Sequence, residues 1–199
     1  MTNLEVLAGW ISLALGIVGY ASYITGILKG RVHPHAFSWG VWGLMATLTF
    51  LGQHVAGAGP GSWVIGLAAV SSFLIFFLCL KYGEPRITRL DGVMLGVGVL
   101  SLLLWVVTKD PMLSVVLAVS ADVIGGSGPT LRKAYDNPWT ENPLFFMCSV
   151  GKYIVALVAL SSWNLTTLFP LCANLLTNGV LLAVILVRRR QVLQREVRG

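Results

Sequence analysis

The stretch GPTLRKAYDNPWTENPLFF, from Gly128 to Phe146, is the most informative part of the chain about the fold. It contains two basic residues, two acidic residues and three prolines, in a chain of 199 residues of which only 11% are charged. Soluble domains usually carry about 25% charged residues. A short polar stretch between long apolar runs therefore indicates a loop between two membrane-spanning helices.

Seven apolar runs can be traced outward from this loop. They cover residues 6–28, 36–56, 62–81, 91–108, 112–132, 143–162 and 166–187. Runs of about 20 apolar residues are long enough to cross a bilayer as helices. Several runs open with a proline (Pro60, Pro111 and Pro143), a position where a helix tolerates this residue. The sequence thus predicts an all-α integral membrane protein with seven transmembrane helices.

The basic residues predict how these helices are oriented. Twelve of the 14 lysines and arginines fall in alternate loops or after the last run, which places them on one side of the membrane. Because cytoplasmic loops are enriched in lysine and arginine, we expect the N-terminus outside and the C-terminus in the cytoplasm. The net charge of +6 then reflects topology and contact with anionic lipid, and no nucleic-acid partner is expected. The expected location is the plasma membrane, the inner membrane of the cell.

The chain also shows an internal repeat. A shift of 104 residues aligns the first three runs with the last three, and it places Lys29 on Lys133 and Pro34 on Pro138. Two three-helix units have the same orientation only if one extra helix separates them, so the pattern predicts parallel repeats in a 3+1+3 arrangement. The predicted units are a first repeat at 1–83, a linker helix at 84–110, a second repeat at 111–187 and a short basic tail at 188–199.

One set of spacings resembles a known family. Pro129, Lys133 and Glu141 stand at relative positions 0, +4 and +12, which is similar to the PQ-loop family that includes the SWEET sugar transporters. Its members share a proline–glutamine pair in the first helix of each repeat, then a lysine and an acidic residue. This chain has Thr130 in place of the glutamine, and Thr25 where the first repeat would have its proline. The resemblance implies a seven-helix transporter of small molecules.

Four polar side chains are predicted near the middle of the bilayer, all in the second repeat: Asp122, Lys152, Asn174 and Asn178. Such groups are costly at this depth and usually functional. Their counterparts at the 104-residue offset are apolar: Val18, Leu48, Val70 and Leu74. The resemblance adds that family members hold substrate with a polar residue of the third helix, commonly asparagine. We expect Lys152 and the two asparagines to bind the solute and Asp122 to couple transport to protons. A buried pair between the two charged groups, and asparagines bonded across helices, stay open as alternatives.

Two tryptophans complete the predicted binding site. Trp39 and Trp42 are three residues apart, so they share one face of the second helix near its cytoplasmic start. They fit either an interfacial anchor or an aromatic wall of a ligand cavity. Some vitamin transporters related to the SWEETs also carry paired tryptophans, so the resemblance includes a vitamin-like solute.

A candidate hinge or gate lies at the end of the fifth run. Pro129, which follows Gly128, would leave the carbonyl of Gly125 without its helical donor and so kink the helix. Arg132 and Lys133 are expected to mark the cytoplasmic side there, with Asp136 and Glu141 as their partners or as elements of a gate.

The expected function is the transport of a small polar solute by alternating access, with the two repeats moving about a central site. A seven-helix receptor or sensor, which binds a small ligand without transport, is the alternative. No catalytic set of residues falls within the runs, so no enzyme is expected. The cysteines fit no metal or redox motif, and no metal or cofactor is expected. The expected partners are the solute and membrane lipid, and association between copies of the chain is left open.

Overall fold

The computed structural model describes residues 1–32, 34, 36–82, 89–123 and 127–198. These residues form α-helices and short 3-10 turns, and none of them is in a β-strand. The eight helices are α1 (Asn3–Leu28), α2 (Ala36–Val55), α3 (Trp63–Tyr82), α4 (Arg89–Thr108), α5 (Pro111–Ala121), α6 (Ser127–Asp136), α7 (Pro143–Val158) and α8 (Leu165–Arg198). The predicted all-helical fold is confirmed for the described part of the chain.

Three segments are long and apolar enough to cross a membrane. They are Asn3–Leu28, Gly59–Tyr82 and Leu165–Gln194. Three further helical segments are apolar but shorter: Val99–Thr108, Pro111–Ala121 and Pro143–Val158. Many large apolar side chains on these helices point outward, such as Phe77 and Leu176. Exposed apolar surface of this extent needs an apolar environment, so the protein is membrane-associated.

Polar caps and prolines define where several helices begin. At α1, the side chain of Thr2 accepts from the backbone of Glu5, and the Glu5 carboxylate accepts from the backbone of Thr2. Asp110 caps α5 and Asn142 caps α7, and in both cases the next residue is a proline. The prediction that these two prolines open helices is confirmed, since a missing N–H costs nothing at that position.

The predicted fifth run, 112–132, corresponds to two helices. α5 ends at Ala121, the chain continues for two residues in a wider π-type turn, and α6 begins at Ser127. Pro129 lies in the first turn of α6, whereas the Gly125 carbonyl that it was predicted to free lies outside the described residues. Residues 124–126, between the π-type turn and α6, lie outside the described residues.

The last two helices differ in length from their predicted runs. α7 ends at Val158, four residues before the predicted end at 162. α8 is longer than its predicted run, because the basic tail continues the helix to Arg198. The tail is thus part of the longest helix of the molecule.

The helices pack in a scheme that is repeated in the two halves. In the first half, α3 contacts both α1 and α2, and in the second half α8 contacts both α5–α6 and α7. Between the halves, α1 contacts α7 and α2 contacts α5. Helix α4 lies outside this scheme, against α2 and α5. We call α1–α3 the first unit and α5–α8 the second unit.

Glycines allow close contact between the units where α1 meets α7. A Cβ atom at Gly19 would lie 3.0 Å from the Cβ of Cys148, and one at Gly16 would lie 3.5 Å from the Cδ of Lys152. Small residues let helices approach in this way. This close packing brings α1 against the stem of a buried lysine.

Candidate functional site

A cavity of about 590 Å³ lies where the two units face each other. Eight of the ten residues predicted for the site line it: Trp39, Trp42, Asp122, Lys133, Glu141, Lys152, Asn174 and Asn178. The other two, Gly128 and Pro129, lie in α6 between the lining residues Ser127 and Thr130. The fold thus brings most of the predicted residues to one place, although they come from four helices, the turn after α5 and a loop.

Lys152 on α7 is buried deep in the wall of the cavity and is only 2% exposed. Its Nζ lies 4.6 Å from the ring centroid of Tyr20 and 4.8 Å from that of Tyr153. Aromatic faces attract a desolvated cation. Within the described part of the chain, no carboxylate oxygen lies within 4.0 Å of this nitrogen. The buried ion pair with Asp122, one of the alternatives, is therefore not formed.

Asp122 lies at the π-type turn that follows α5, and it lines the same cavity. No ion pair or hydrogen bond of its carboxylate occurs among the described residues. Asp122 shares the cavity with Tyr20 and Tyr153, the two tyrosines that surround the Lys152 ammonium. Turns of the π type inside helices are frequent at functional sites. The cavity is thus lined by an acidic and a basic group that form no ion pair with each other.

Asn174 and Asn178 present their amides to the cavity from one face of α8. The Nδ2 of Asn174 donates to the carbonyl of Pro170 at 2.9 Å, and the Nδ2 of Asn178 donates to the carbonyl of Asn174 at 2.8 Å. Both bonds stay within the helix, so the alternative of bonds across helices is not realised. Neither amide oxygen accepts a hydrogen bond from another described residue, which leaves two acceptors at the cavity.

The first unit has small residues opposite these amides. The counterparts expected from the 104-residue offset, Val70 and Leu74, are 69% and 50% exposed on the outer face of α3. A shift of 106 residues instead aligns the two asparagines with Ala68 and Ser72, which line the cavity. The offset of 104 residues is therefore wrong for α3 and α8, the third helices of the two units. The reason is that the second unit has two more residues than the first between the cavity positions of its second and third helices.

Five aromatic rings form one wall of the cavity. In order of contact they are Tyr20, Phe145, Tyr23, Trp39 and Trp42, with centroid distances of 5.4, 5.0, 5.1 and 5.0 Å. Trp39 is buried, which distinguishes the pair of tryptophans from interfacial anchors. The Nε1 of Trp42 is buried and has no acceptor among the described residues. Because a buried indole N–H normally has a partner, this group is a donor that a ligand can use.

Five aromatic residues that line the cavity have no place among the predicted site residues: Tyr20, Tyr23, Phe145, Phe146 and Tyr153. For the first two a signal exists, since they are three residues apart on α1, the spacing that singles out Trp39 and Trp42 on α2. The other three carry no such signal. A lone aromatic residue in an apolar run is normally part of the core.

One end of the cavity is basic. This basic end is formed by the C-terminus of α1, by α6 and by the segment that connects α6 to α7. There the Nζ of Lys133 lies 3.2 Å from Oε1 of Glu141, and the more exposed Arg132 lies 3.9 Å from Asp136. The two basic residues are thus paired with the two acidic residues of this end, Lys133 with Glu141 and Arg132 with Asp136. Burial raises the pKa of the Glu141 carboxyl, although the neighbouring Lys133 ammonium acts to lower it.

The opposite end of the cavity is closed by the hairpins that follow α2 and α7. The N–H of Gly61 donates to the carbonyl of Ala159 at 2.9 Å, and the N–H of Ser161 donates to the carbonyl of Ala58 at 3.1 Å. A buried apolar cluster lies beneath them: Ala58, Val64, Ile65, Tyr153, Ala156, Leu160 and Leu171. Hydrogen bonds between the units and apolar packing therefore seal this end.

No metal centre is formed by the residues that the structure describes. Groups of three or more histidine, cysteine, aspartate or glutamate side chains that could hold an ion are absent from this part of the chain. His33 and His35, the two histidines closest in sequence, lie outside it.

Comparisons with known proteins give no match. The chain matches no protein-family model, no curated protein and no solved structure. The function is therefore argued from the residues and the geometry above.

Proposed function

We propose that the protein transports a small polar solute across a membrane by alternating access and that it is not an enzyme. The observation that carries this proposal is the cavity of about 590 Å³ between two units that pack by the same scheme. Its walls combine two separated charges, two amides and a row of aromatic rings. Transporters built from repeats bind their substrates at such an interface, near the middle of the membrane.

We infer a seven-helix, 3+1+3 arrangement in which α5 and α6 together make the fifth span and α4 is the linker helix. The repeated contact scheme supports parallel repeats, since each contact in the first unit has its equivalent in the second. The basic residues at one end support an N-terminus outside and a C-terminus in the cytoplasm. The proposed location is the plasma membrane, the inner membrane of the cell.

A PQ-loop or SWEET-like transporter is the class that we propose for this architecture. The short distance between Lys133 and Glu141 supports it, because the resemblance rests on a lysine and an acidic residue at these positions. We propose that these two residues act with Gly128 and Pro129 as a hinge or gate at the basic end. The π-type turn at residues 122–123, just after α5, is a point about which such a gate would move.

We assign the binding of the solute to Lys152, Asn174 and Asn178, with Trp39 and Trp42 as a flat apolar wall. Asp122 is the proposed proton-coupling group, because its carboxylate faces the cavity without an ion-pair partner in the described part of the chain.

Two measurements on the purified chain test the proposal. A thermal-shift screen against sugars, amino acids, vitamins and other small polar metabolites identifies ligands, since a ligand of the folded state raises the melting temperature with its concentration over Kd. Uptake of each ligand into proteoliposomes then tests transport. A ligand that stabilises the protein without being taken up would support the alternative, a seven-helix receptor or sensor.

Proton coupling is tested separately in the same proteoliposomes. We expect uptake of the identified solute to increase with an imposed pH gradient and Asp122→Asn to lose that dependence. Uptake that ignores the gradient, together with an active Asp122→Asn variant, would remove Asp122 from the mechanism and leave the transport function intact.

A further inference from the structure

A second, smaller cavity of about 250 Å³ opens at the basic end. It lies between the C-terminus of α1, the residues that follow it, the connection from α6 to α7, and α8. Among the described residues, only Glu141 lines both this cavity and the central one. The second cavity is therefore a separate site beside the route to the central cavity.

Positive charge dominates this cavity. Lys29, Arg31 and Arg189 line it, against a single acidic residue, Glu141. That carboxylate is bound to Lys133, and its side chain is only 5% exposed. In the described part of the chain, neither Lys29 nor Arg31 has an acidic side chain within ion-pair distance. The positive charges of Lys29 and Arg31 are therefore not neutralised within the described part of the chain, and they favour an anionic ligand in this cavity.

Arg189 is held in a fixed orientation in the wall. Its Nε donates to the carbonyl of Pro138 at 3.1 Å, and its Nη2 donates to the carbonyl of Glu141 at 2.8 Å. Its guanidinium also lies over the ring of Trp139, at 4.6 Å from the centroid. A guanidinium has five N–H groups, so several remain for a ligand. A planar guanidinium that is already oriented is well suited to bind phosphate oxygens.

Neighbouring aromatic residues place this cavity at the depth of lipid headgroups. Trp139 is 50% exposed beside Arg189, and Tyr135 is 55% exposed beneath Arg188, which lies 4.1 Å from its ring centroid. Tryptophan and tyrosine are enriched where the apolar core of a bilayer meets water. The cations of the cavity are therefore close to phosphate groups when the helices span a bilayer.

We propose that this second cavity binds a phosphate group through Arg189, Lys29 and Arg31, supplied by the headgroup of an acidic phospholipid or by free phosphate. The proposal does not depend on transport, because none of these three residues lines the central cavity.

Native mass spectrometry of the full chain tests the proposal. The protein is reconstituted in phosphatidylcholine nanodiscs with and without phosphatidylglycerol, and the retained phosphatidylglycerol is counted after release. We expect wild-type protein to retain it and Arg189→Gln to weaken retention about tenfold, the usual effect of losing hydrogen bonds to a charged group. The matched control is Arg190→Gln, which removes the same charge from the adjacent, exposed position of α8 and should change nothing.

A second variant separates binding from folding. Lys29→Gln combined with Arg31→Gln leaves the bonds of Arg189 to the connecting segment intact, and it should also reduce retention. Inorganic phosphate added to the detergent-purified protein distinguishes the two sources. A rise in melting temperature that Arg189→Gln abolishes indicates free phosphate, whereas retention of phosphatidylglycerol without such a rise indicates the lipid headgroup. Equal losses in Arg189→Gln and Arg190→Gln, or no loss in either Arg189→Gln or the double variant, would overturn the proposal.

Discussion

The two units of the molecule pack alike, yet they supply different chemistry to the cavity between them. The first unit contributes aromatic rings and small residues, represented by Trp42 on α2 and by Ala68 and Ser72 on α3. The second contributes the charges and amides, above all Lys152 on α7 and Asn174 on α8. Helix packing requires only that the side chains fit together in shape. The same packing scheme can therefore occur in both units although their side chains differ in polarity. If the proposed solute binds here, the flat apolar wall and the charged wall would fix its orientation.

Removal of the buried cation, Lys152, is expected to have the largest effect among the tests of this difference between the units. We expect Lys152→Met to weaken binding of the identified solute by tenfold or more, since hydrogen bonds to charged groups contribute about 1.5–3 kcal/mol. The melting temperature without solute should not fall, because the lysine has no acidic partner among the described residues and a desolvated charge is costly. Thermal-shift titrations measure both quantities.

The control for this experiment is Lys109→Met, which removes an exposed cation away from the cavity. A Lys152→Met protein that binds the solute normally but melts several degrees lower would make the lysine a structural residue.

The amides test the comparison at matched positions of the third helices. Asn174→Ala and Asn178→Ala should each weaken binding about fivefold, the equivalent of one hydrogen bond of about 1 kcal/mol. Ser72→Ala, at the position equivalent to Asn178, should change the Kd by less than about twofold, since the first unit supplies mainly shape. Similar losses in all three variants would show that the two units bind the solute equally.

Most of the architecture was accessible from the sequence, for identifiable reasons. Helix starts follow from residues that act locally, such as Asp110 and Asn142 with their prolines, and the apolar runs follow from length and composition. The polar residues Asp122 and Lys152 stood out because a charge in an apolar run is rare. The sequence could not predict whether these two residues form an ion pair. That depends on Tyr20, whose ring contacts the Lys152 ammonium from another helix.

The sequence also did not predict the register between the two units. The offset of 104 residues holds where Lys29 and Lys133 are aligned, but the facing positions of α3 and α8 differ by 106. Hydrophobicity changes little from one residue to the next within an apolar run. A shift of two residues therefore hardly affects how well two runs align, but it moves each side chain to another face of the helix. Only the packed structure distinguishes Ser72, at the cavity, from Leu74, on the outer face.

The aromatic wall offers a finer test of the first unit. Trp42→Phe keeps a ring in place but removes the buried Nε1–H, which has no acceptor in the described part of the chain. If the solute accepts from this group, its affinity should fall about threefold, a neutral hydrogen bond being worth about 0.5–1.5 kcal/mol. The melting temperature without solute should stay the same or rise, because an unpaired buried donor is lost. Unchanged affinity would limit the first unit to apolar contact.

The smallest expected effect concerns Glu141, at the basic end. Its pKa is raised above the usual 4.5 because burial penalises the carboxylate. The folded state therefore binds the proton more tightly than the unfolded state, and this contribution to stability is lost as the pH rises through the raised pKa. Glu141→Gln, which stays neutral, should melt at a slightly higher temperature than wild type at pH 8 and at the same temperature near pH 4. A variant that melts lower at pH 8 would show that the ion pair with Lys133 outweighs burial.

Helix α8 joins the two cavities mechanically. Asn178 and Arg189 are 11 residues apart, which is about 16 Å along the axis and close to three full turns, so both side chains leave the helix on the same side. No proline separates them, and the only one within the helix, Pro170, lies on the far side of the asparagines. This part of α8 acts as a stiff rod. A displacement of the rod at the headgroup level would be transmitted to the amides in the central cavity, so the lipid composition of one leaflet would become a variable that the solute site senses.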